Sequence, residues 1–189
     1  MRLSRYFTLE EMTKSQTAER LGIPNSPNDE EVVKLEALCN RVLDFVRENF
    51  DIPFSPSSGF RSASLNKAIG GAQYSQHVEG KAADIGIPGI DNLTLALWVK
   101  DNLEFDQLIL ESYEPTKPGS GWVHVSYDSS ANRMECLRYV DGNYHTGIGN
   151  GGLDHVRSHA SSLRTTLDAL IFSVLNFLRG ILSLRRNND

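Results

Sequence analysis

The chain has 189 residues, 40% apolar and 23% charged, with a formal net charge of -5 at pH 7. That composition suits a soluble globular chain of one ordinary domain, with room for an appendage. The acidic balance, with no basic patch, argues against a nucleic-acid partner.

The first residues, Met1 to Tyr6, have no apolar signal core, so no classical export signal is expected. Thr8 and Glu11 have the spacing of a capping box and open a short helix, with Phe7 and Met12 as a staple across its first turn. A turn-rich connector runs from Gly22 to Asn28. From Asp29 or Glu30 to about Asn49, Val32, Leu35, Leu38, Val42, Phe45 and Val46 recur at helical spacing behind an acidic first turn. This predicts one long helix with an apolar face in the core. Cys39 falls in that helix and Cys136 in a strand-like segment. Two cysteines make no disulfide framework, so both are expected as buried free thiols.

Further on, Ile52 to Pro56 reads as extended chain, because Pro56 keeps Ser55 out of the helical region. A short helix is predicted over Ser64 to Ile69, ended by Gly70-Gly71. A buried strand is predicted over Ala82 to Ile87, and a helix from Asn92 to Val99 capped by Asp91 or Asn92. Three more strands are predicted over Phe105 to Leu110, Trp122 to Tyr127 and Met134 to Tyr139. Helices first and strands later predict an α+β fold: a small, mainly antiparallel sheet with helices packed on it, plus a C-terminal helix.

From about Asp141 the composition shifts. Residues 1–142 are expected to form the main domain, 143–160 a glycine-rich flexible linker and 161–186 an amphipathic helix. In that helix Leu163, Leu167, Leu170, Val174, Phe177, Ile181 and Leu184 form an a/d seam. Polar interruptions leave no uninterrupted apolar span of ~20 residues, so a transmembrane helix is not expected. Docking on the main domain, self-association and membrane-surface contact through the seam all remain open, with the last two favoured.

The chemistry gathers around Ser75-Gln76-His77-Val78-Glu79-Gly80-Lys81-Ala82-Ala83-Asp84 and the distant Trp122-Val123-His124-Val125-Ser126. Two histidines and a carboxylate make a three-ligand set that leaves a position open on zinc. His77 and Asp84 alone are a weak metal signal, since a single His or Asp has many structural uses. The order of the surrounding stretches adds weight: Ser58-Gly59-Phe60-Arg61, Leu65-Asn66, Gly70-Gly71, Ser75-Gln76-His77, Gly80 to Asp84, Phe105 to Leu108, then Trp122 to Ser126. From about Leu3 to about Tyr139 this order resembles the zinc D-alanyl-D-alanine carboxypeptidase and L-alanyl-D-glutamate peptidase family. That family shares its fold with the hedgehog signalling domain.

The resemblance implies a zinc peptidase that cuts D-amino-acid-containing stem peptides of peptidoglycan. One Zn2+ would be held by His77, Asp84 and His124. It would lower the pKa of its water toward ~7 and polarise the scissile carbonyl. Many relatives carry an acid three positions before the last histidine, where this chain has Gly121. Glu111, at the end of a predicted strand, is the expected base, with Glu114 and Asp106 as alternatives. Arg61 is expected to clamp a substrate carboxylate or carbonyl, against the alternative of a structural salt bridge. Ser75 is expected to bind substrate or to stabilise its turn, and Gln76 to support the site from behind. His145, His155 and His159 are read as surface or linker residues. Compact members of this kind resemble phage-encoded or bacterial cell-wall hydrolases, made in the cytoplasm and acting after release or within a virion. The rival readings are a non-catalytic, hedgehog-like zinc-binding domain, or a membrane- or assembly-anchored virion component.

Overall fold

Polar caps decide where the N-terminal helices of this chain begin. In the computed structural model, which describes residues 1–149, helix α1 (Leu9–Thr13) starts on Thr8. The Thr8 hydroxyl accepts from the Glu11 N–H, and the Glu11 carboxylate accepts from the Thr8 N–H at 2.9 Å, closing the expected box. Phe7 and Met12 are both buried beside it. A second short helix, α2 (Gln16–Leu21), was not separable in the sequence; Ser15 caps its start and Gly22 its end.

The long helix predicted from Asp29 or Glu30 to Asn49 is a continuous run of three pieces. These are α3 (Asp29–Leu38), a π-helical turn (Cys39–Leu43) and α4 (Asp44–Phe50). In the turn the Asp44 N–H donates to the Cys39 carbonyl, five residues back instead of four. The extra residue shifts the phase of the apolar stripe. Leu35, Leu38, Cys39, Val42, Leu43 and Val46 are buried, whereas Phe45, expected in the core, is 49% exposed. Asp44 accepts from the Ser4 hydroxyl at 2.7 Å and the Arg5 N–H at 3.1 Å, fastening the N-terminal segment to this helix.

Helix α5 (Ala63–Ala68) is capped by Ser62, and α6 (Asn92–Asn102) by Asp91. The strands are β1 (Ala82–Ile85), β2 (Gln107–Glu111), β3 (Trp122–Ser126), β4 (Glu135–Val140) and β5 (Asn143–Thr146). They form one sheet in the order β1-β3-β2-β4-β5. The β1–β3, β2–β3 and β4–β5 pairings are antiparallel and β2–β4 is parallel, so the α+β class with a mainly antiparallel sheet holds. Helix α6 packs on β2 and β3.

Side-chain alternation divides the sheet into two faces. Ala83, Ile85, Leu108, Leu110, Val123 and Val125 point to one side and are buried. Asp84, Ile109, Glu111, Trp122 and His124 point to the other, where they line a cleft. Residues 143–146, expected at the start of the linker, form β5 instead. All four are exposed, so they carry no apolar alternation from which a strand could be read. His145 is exposed there, and Cys136 in β4 is only half-buried rather than buried; neither cysteine forms a disulfide. The expected C-terminal helix, the linker beyond 149, His155 and His159 lie outside the described residues. No helix among the described residues is long and apolar enough to cross a membrane.

Candidate metal centre

Antiparallel pairing of β1 with β3 sets Asp84 directly opposite His124. The strands thereby bring together two groups forty positions apart. His77 arrives from the turn before β1, where the Val78, Glu79 and Gly80 N–H groups donate to the carbonyls of Ser75, Gln76 and His77. The extended residues Ser57 and Ser58 run beside β1, with the Asp84 N–H donating to the Ser58 carbonyl at 2.8 Å. The Arg61 N–H donates to the His77 carbonyl at 3.2 Å, tying that turn down.

His77 Nε2, Asp84 Oδ1 and His124 Nδ1 converge. Asp84 Oδ1 lies 3.2 Å from His77 Nε2 and 2.9 Å from His124 Nδ1, and the two ring nitrogens are 3.2 Å apart. All three residues are buried. Zinc bonds of ~2.0–2.1 Å in tetrahedral geometry put ligand atoms about 3.3 Å from one another, which this triangle nearly matches.

The protonation pattern fits a cation as well. His77 Nδ1 lies 2.7 Å from the Gly59 carbonyl. A carbonyl only accepts, so Nδ1 carries a proton. Burial lowers the His77 pKa, which favours the neutral ring and leaves a lone pair on Nε2. Asp84 is paired as a carboxylate with Arg61, whose Nη2 donates to Oδ2 at 2.8 Å. A lone pair thus faces a carboxylate oxygen at 3.2 Å, an acceptor against an acceptor that a metal ion would reconcile. His124 Nε2 is buried with no hydrogen-bond partner among the described residues.

Arg61 supports this corner. Its Nη2 donates to Asp84 Oδ2 at 2.8 Å and its Nε to the Ser58 hydroxyl at 2.8 Å. The structural ion pair weighed for this residue is therefore present. Its Nη1 makes no hydrogen bond among the described residues, and the side chain lines the cleft.

The cleft has a volume of about 520 Å³, and His77, Asp84, His124, Arg61, Ser75, Gln76 and Glu111 all line it. Glu111 lies opposite Trp122 on the neighbouring strand, one side-chain step along from the Ile109–His124 pair. Burial and then the Asp84 charge raise its pKa, against the lowering effect of His124, Trp122 and Arg61. Glu114 and Asp106 do not line the cleft. Glu114 is exposed and pairs with Lys117 at 2.7 Å.

Asp106 is buried and saturated. Its carboxylate accepts from Arg133 Nε, Arg133 Nη2 and the Arg133 N–H, and from Gln76 Nε2 at 2.6 Å. Gln76 precedes His77, and the Asp106 N–H donates to Ser126, two residues beyond His124. Asp106 thus ties the His77 turn to strand β3.

Gly121, where the resemblance would put an acid, has φ +63, and a Cβ there would lie 1.9 Å from the Glu111 carbonyl oxygen. No acidic side chain fits at that position without moving the β2–β3 turn. The sequence reading did not anticipate Tyr74, Ile109, Gln107, Tyr139 and Tyr144, which also line the cleft. The signal for most of them was strand alternation, usable only once the register of β2 against β4 is known.

No curated protein gives a match to the chain. Residues 5–126, more than half of the chain and inclusive of every residue of the converging triad, match the sequence model of the peptidase M15 family. M15 peptidases are zinc metallopeptidases that act on peptidoglycan-type substrates, and the chain belongs to this family.

Proposed function

We propose that this protein is a zinc-dependent peptidase that hydrolyses D-amino-acid-containing amide bonds in peptidoglycan stem peptides, with His77, Asp84 and His124 as the ligands of one zinc. One observation carries the reading: two buried imidazole nitrogens and a carboxylate oxygen, each within 3.2 Å of the others, open into a cleft that also holds a carboxylate. When bound, the metal supplies Lewis acidity for water and for a polarised carbonyl.

The remaining work falls to side chains of this chain. Glu111 is partly withdrawn from water and less acidic than an exposed glutamate, which suits it to accept the proton of the attacking water. As the C–N bond breaks, the Glu111 carboxyl returns that proton to the departing amine. Arg61 holds Asp84 in position through Nη2 and leaves Nη1 for a substrate carboxylate or carbonyl oxygen. Ser75, half-buried on the cleft wall, offers a hydroxyl to the peptide backbone.

The test is hydrolysis of purified peptidoglycan by the zinc-loaded full chain. We expect new amino groups that stop appearing when a chelator strips the metal and reappear when zinc is restored. A chain that binds zinc and peptidoglycan yet releases no amine would be a non-catalytic binding domain.

A further inference from the structure

The cleft extends past the metal ligands onto a wall that the family match, ending at residue 126, does not include. That wall is the β4–β5 hairpin. Asp141 and Gly142, with φ of 50° and 79°, make its two-residue turn, the left-handed pair that suits the twist of a tight hairpin. The parallel register sets Tyr139 beside Glu111, and the hairpin sets Tyr144 beside Tyr139. Trp122, Glu111, Tyr139 and Tyr144 therefore form one rung across four strands. The two tyrosine rings lie 4.7 Å apart and tilted by 48°. Tyr144 is 60% exposed, and Tyr74, on the loop before His77, is 87% exposed. All three tyrosines line the cleft.

We propose that Tyr139 and Tyr144, together with Tyr74, form a subsite for a sugar ring of the glycan to which the stem peptide is attached. The inference rests on the peptidase reading above. Apart from Arg61, Asp84, Glu111 and the two histidines, no residue lining the cleft carries a charge. An uncharged wall of phenol rings, Tyr74 and Tyr144 exposed and Tyr139 half-buried, matches a pyranose, which offers a C–H face and a rim of hydroxyls. It matches poorly the carboxylate-bearing residues of a stem peptide, which would lose hydration there without gaining a cation.

Strand spacing also limits which bond is cut. Tyr139 and Tyr144 lie one and two strands from Glu111, about 5 and 10 Å away. A terminal D-alanyl-D-alanine bond sits four residues from the sugar, about 14 Å in extended chain, while the L-alanyl-D-glutamate bond sits one residue from it. The subsite therefore selects the sugar-proximal bond.

The test compares the zinc-loaded full chain with Tyr144→Ala and Tyr144→Phe on two substrates, the stem peptide with its disaccharide and the same peptide without it. Saturation-transfer NMR with the free disaccharide is measured in parallel. We expect the wild type to favour the sugar-bearing substrate in kcat/KM, and Tyr144→Ala to lose roughly 3- to 10-fold of that preference, the scale of one aromatic contact. Tyr144→Phe should retain the preference, and saturation transfer should fall in Tyr144→Ala. Equal cleavage of both substrates with no disaccharide signal overturns the subsite and leaves the peptidase reading standing. Tyr144-dependent disaccharide binding with neither substrate cut supports the subsite and overturns the peptidase reading. A preference that survives when Tyr74, Tyr139 and Tyr144 are all changed to alanine overturns the subsite, because another surface must then read the sugar.

Discussion

The two ends of the cleft are built on opposite plans. At the β1–β3 end, the charged and polar groups are mostly buried and held by others: His77 by the Gly59 carbonyl, Asp84 by Arg61, and the His77 turn by Gln76 and Asp106. At the β4–β5 end the hairpin residues that line the cleft, Tyr139, Gly142 and Tyr144, are uncharged, and Tyr144 stands 60% exposed. The first plan fixes the orientation of the ligand side chains, as a metal demands. The second leaves large apolar surface in water, as a recognition surface does. Chemistry and recognition are thus separable in this chain, and mutations at the two ends should fail in different ways.

The largest effect is expected from the ligands. Asp84→Asn and His124→Ala should each lose most bound zinc in metal analysis of the purified protein, and turnover with it. Asp84→Asn also strands the Arg61 charge, and breaking a buried pair costs about 3–5 kcal/mol, so its melting temperature should fall more than that of His124→Ala. Full zinc occupancy in both variants would remove the assignment.

Next comes the base. Glu111→Gln should keep its zinc and lose ~10²-fold or more in kcat. Near-normal turnover would show that the proton goes elsewhere, although neither Glu114 nor Asp106 reaches the cleft. Arg61→Lys should cost roughly tenfold or more in kcat/KM, because a lysine cannot hold Asp84 and a substrate oxygen together, and a charged hydrogen bond is worth about 1.5–3 kcal/mol. If Arg61→Lys melts early but its folded fraction is fully active, Arg61 only supports Asp84.

A smaller effect should come from behind the site. Gln76→Ala removes the link between Asp106 and the His77 turn and should weaken zinc binding by about tenfold in chelator competition, with melting little changed. Unaltered affinity would mean that the turn holds its own shape.

The smallest effect is on acid stability. Arg133 holds the Asp106 carboxyl below its ordinary value, more than offsetting burial. A depressed carboxylate stabilises the fold above its unfolded pKa and loses that contribution as pH falls through the folded value. The melting difference between wild type and Asp106→Asn should therefore be full near neutrality and shrink below the ordinary carboxylate range. A difference constant with pH would show that the Arg133 pairing contributes nothing.

The metal corner was the most legible part of the sequence. A zinc site admits few residue types, and the chain presents them in a recognisable order around Ser75 to Asp84 and Trp122 to Ser126. Glu111 could be nominated because it closes the apolar run Leu108 to Leu110 and because that segment resembles the hedgehog-type arrangement, but the crowding at Gly121 needed the Glu111 carbonyl oxygen in place beside it. The π turn was hidden: apolar spacing reports which residues face inward, and one extra residue within a turn exchanged Leu43 for Phe45 without breaking the pattern. Strand β5 was hidden because all four of its residues face solvent. Its neighbour Tyr139 therefore gave no sign that it would stand beside Glu111.

The most direct measurement is mass spectrometry of muropeptides after purified peptidoglycan is digested by the zinc-loaded chain, by the chelated chain, and by zinc-loaded Glu111→Gln. The account predicts amide cleavage within the stem peptide in the first digest, none in the second, and a trace in the third. Stem-peptide products of equal yield in all three, or none in the zinc-loaded digest, would contradict it.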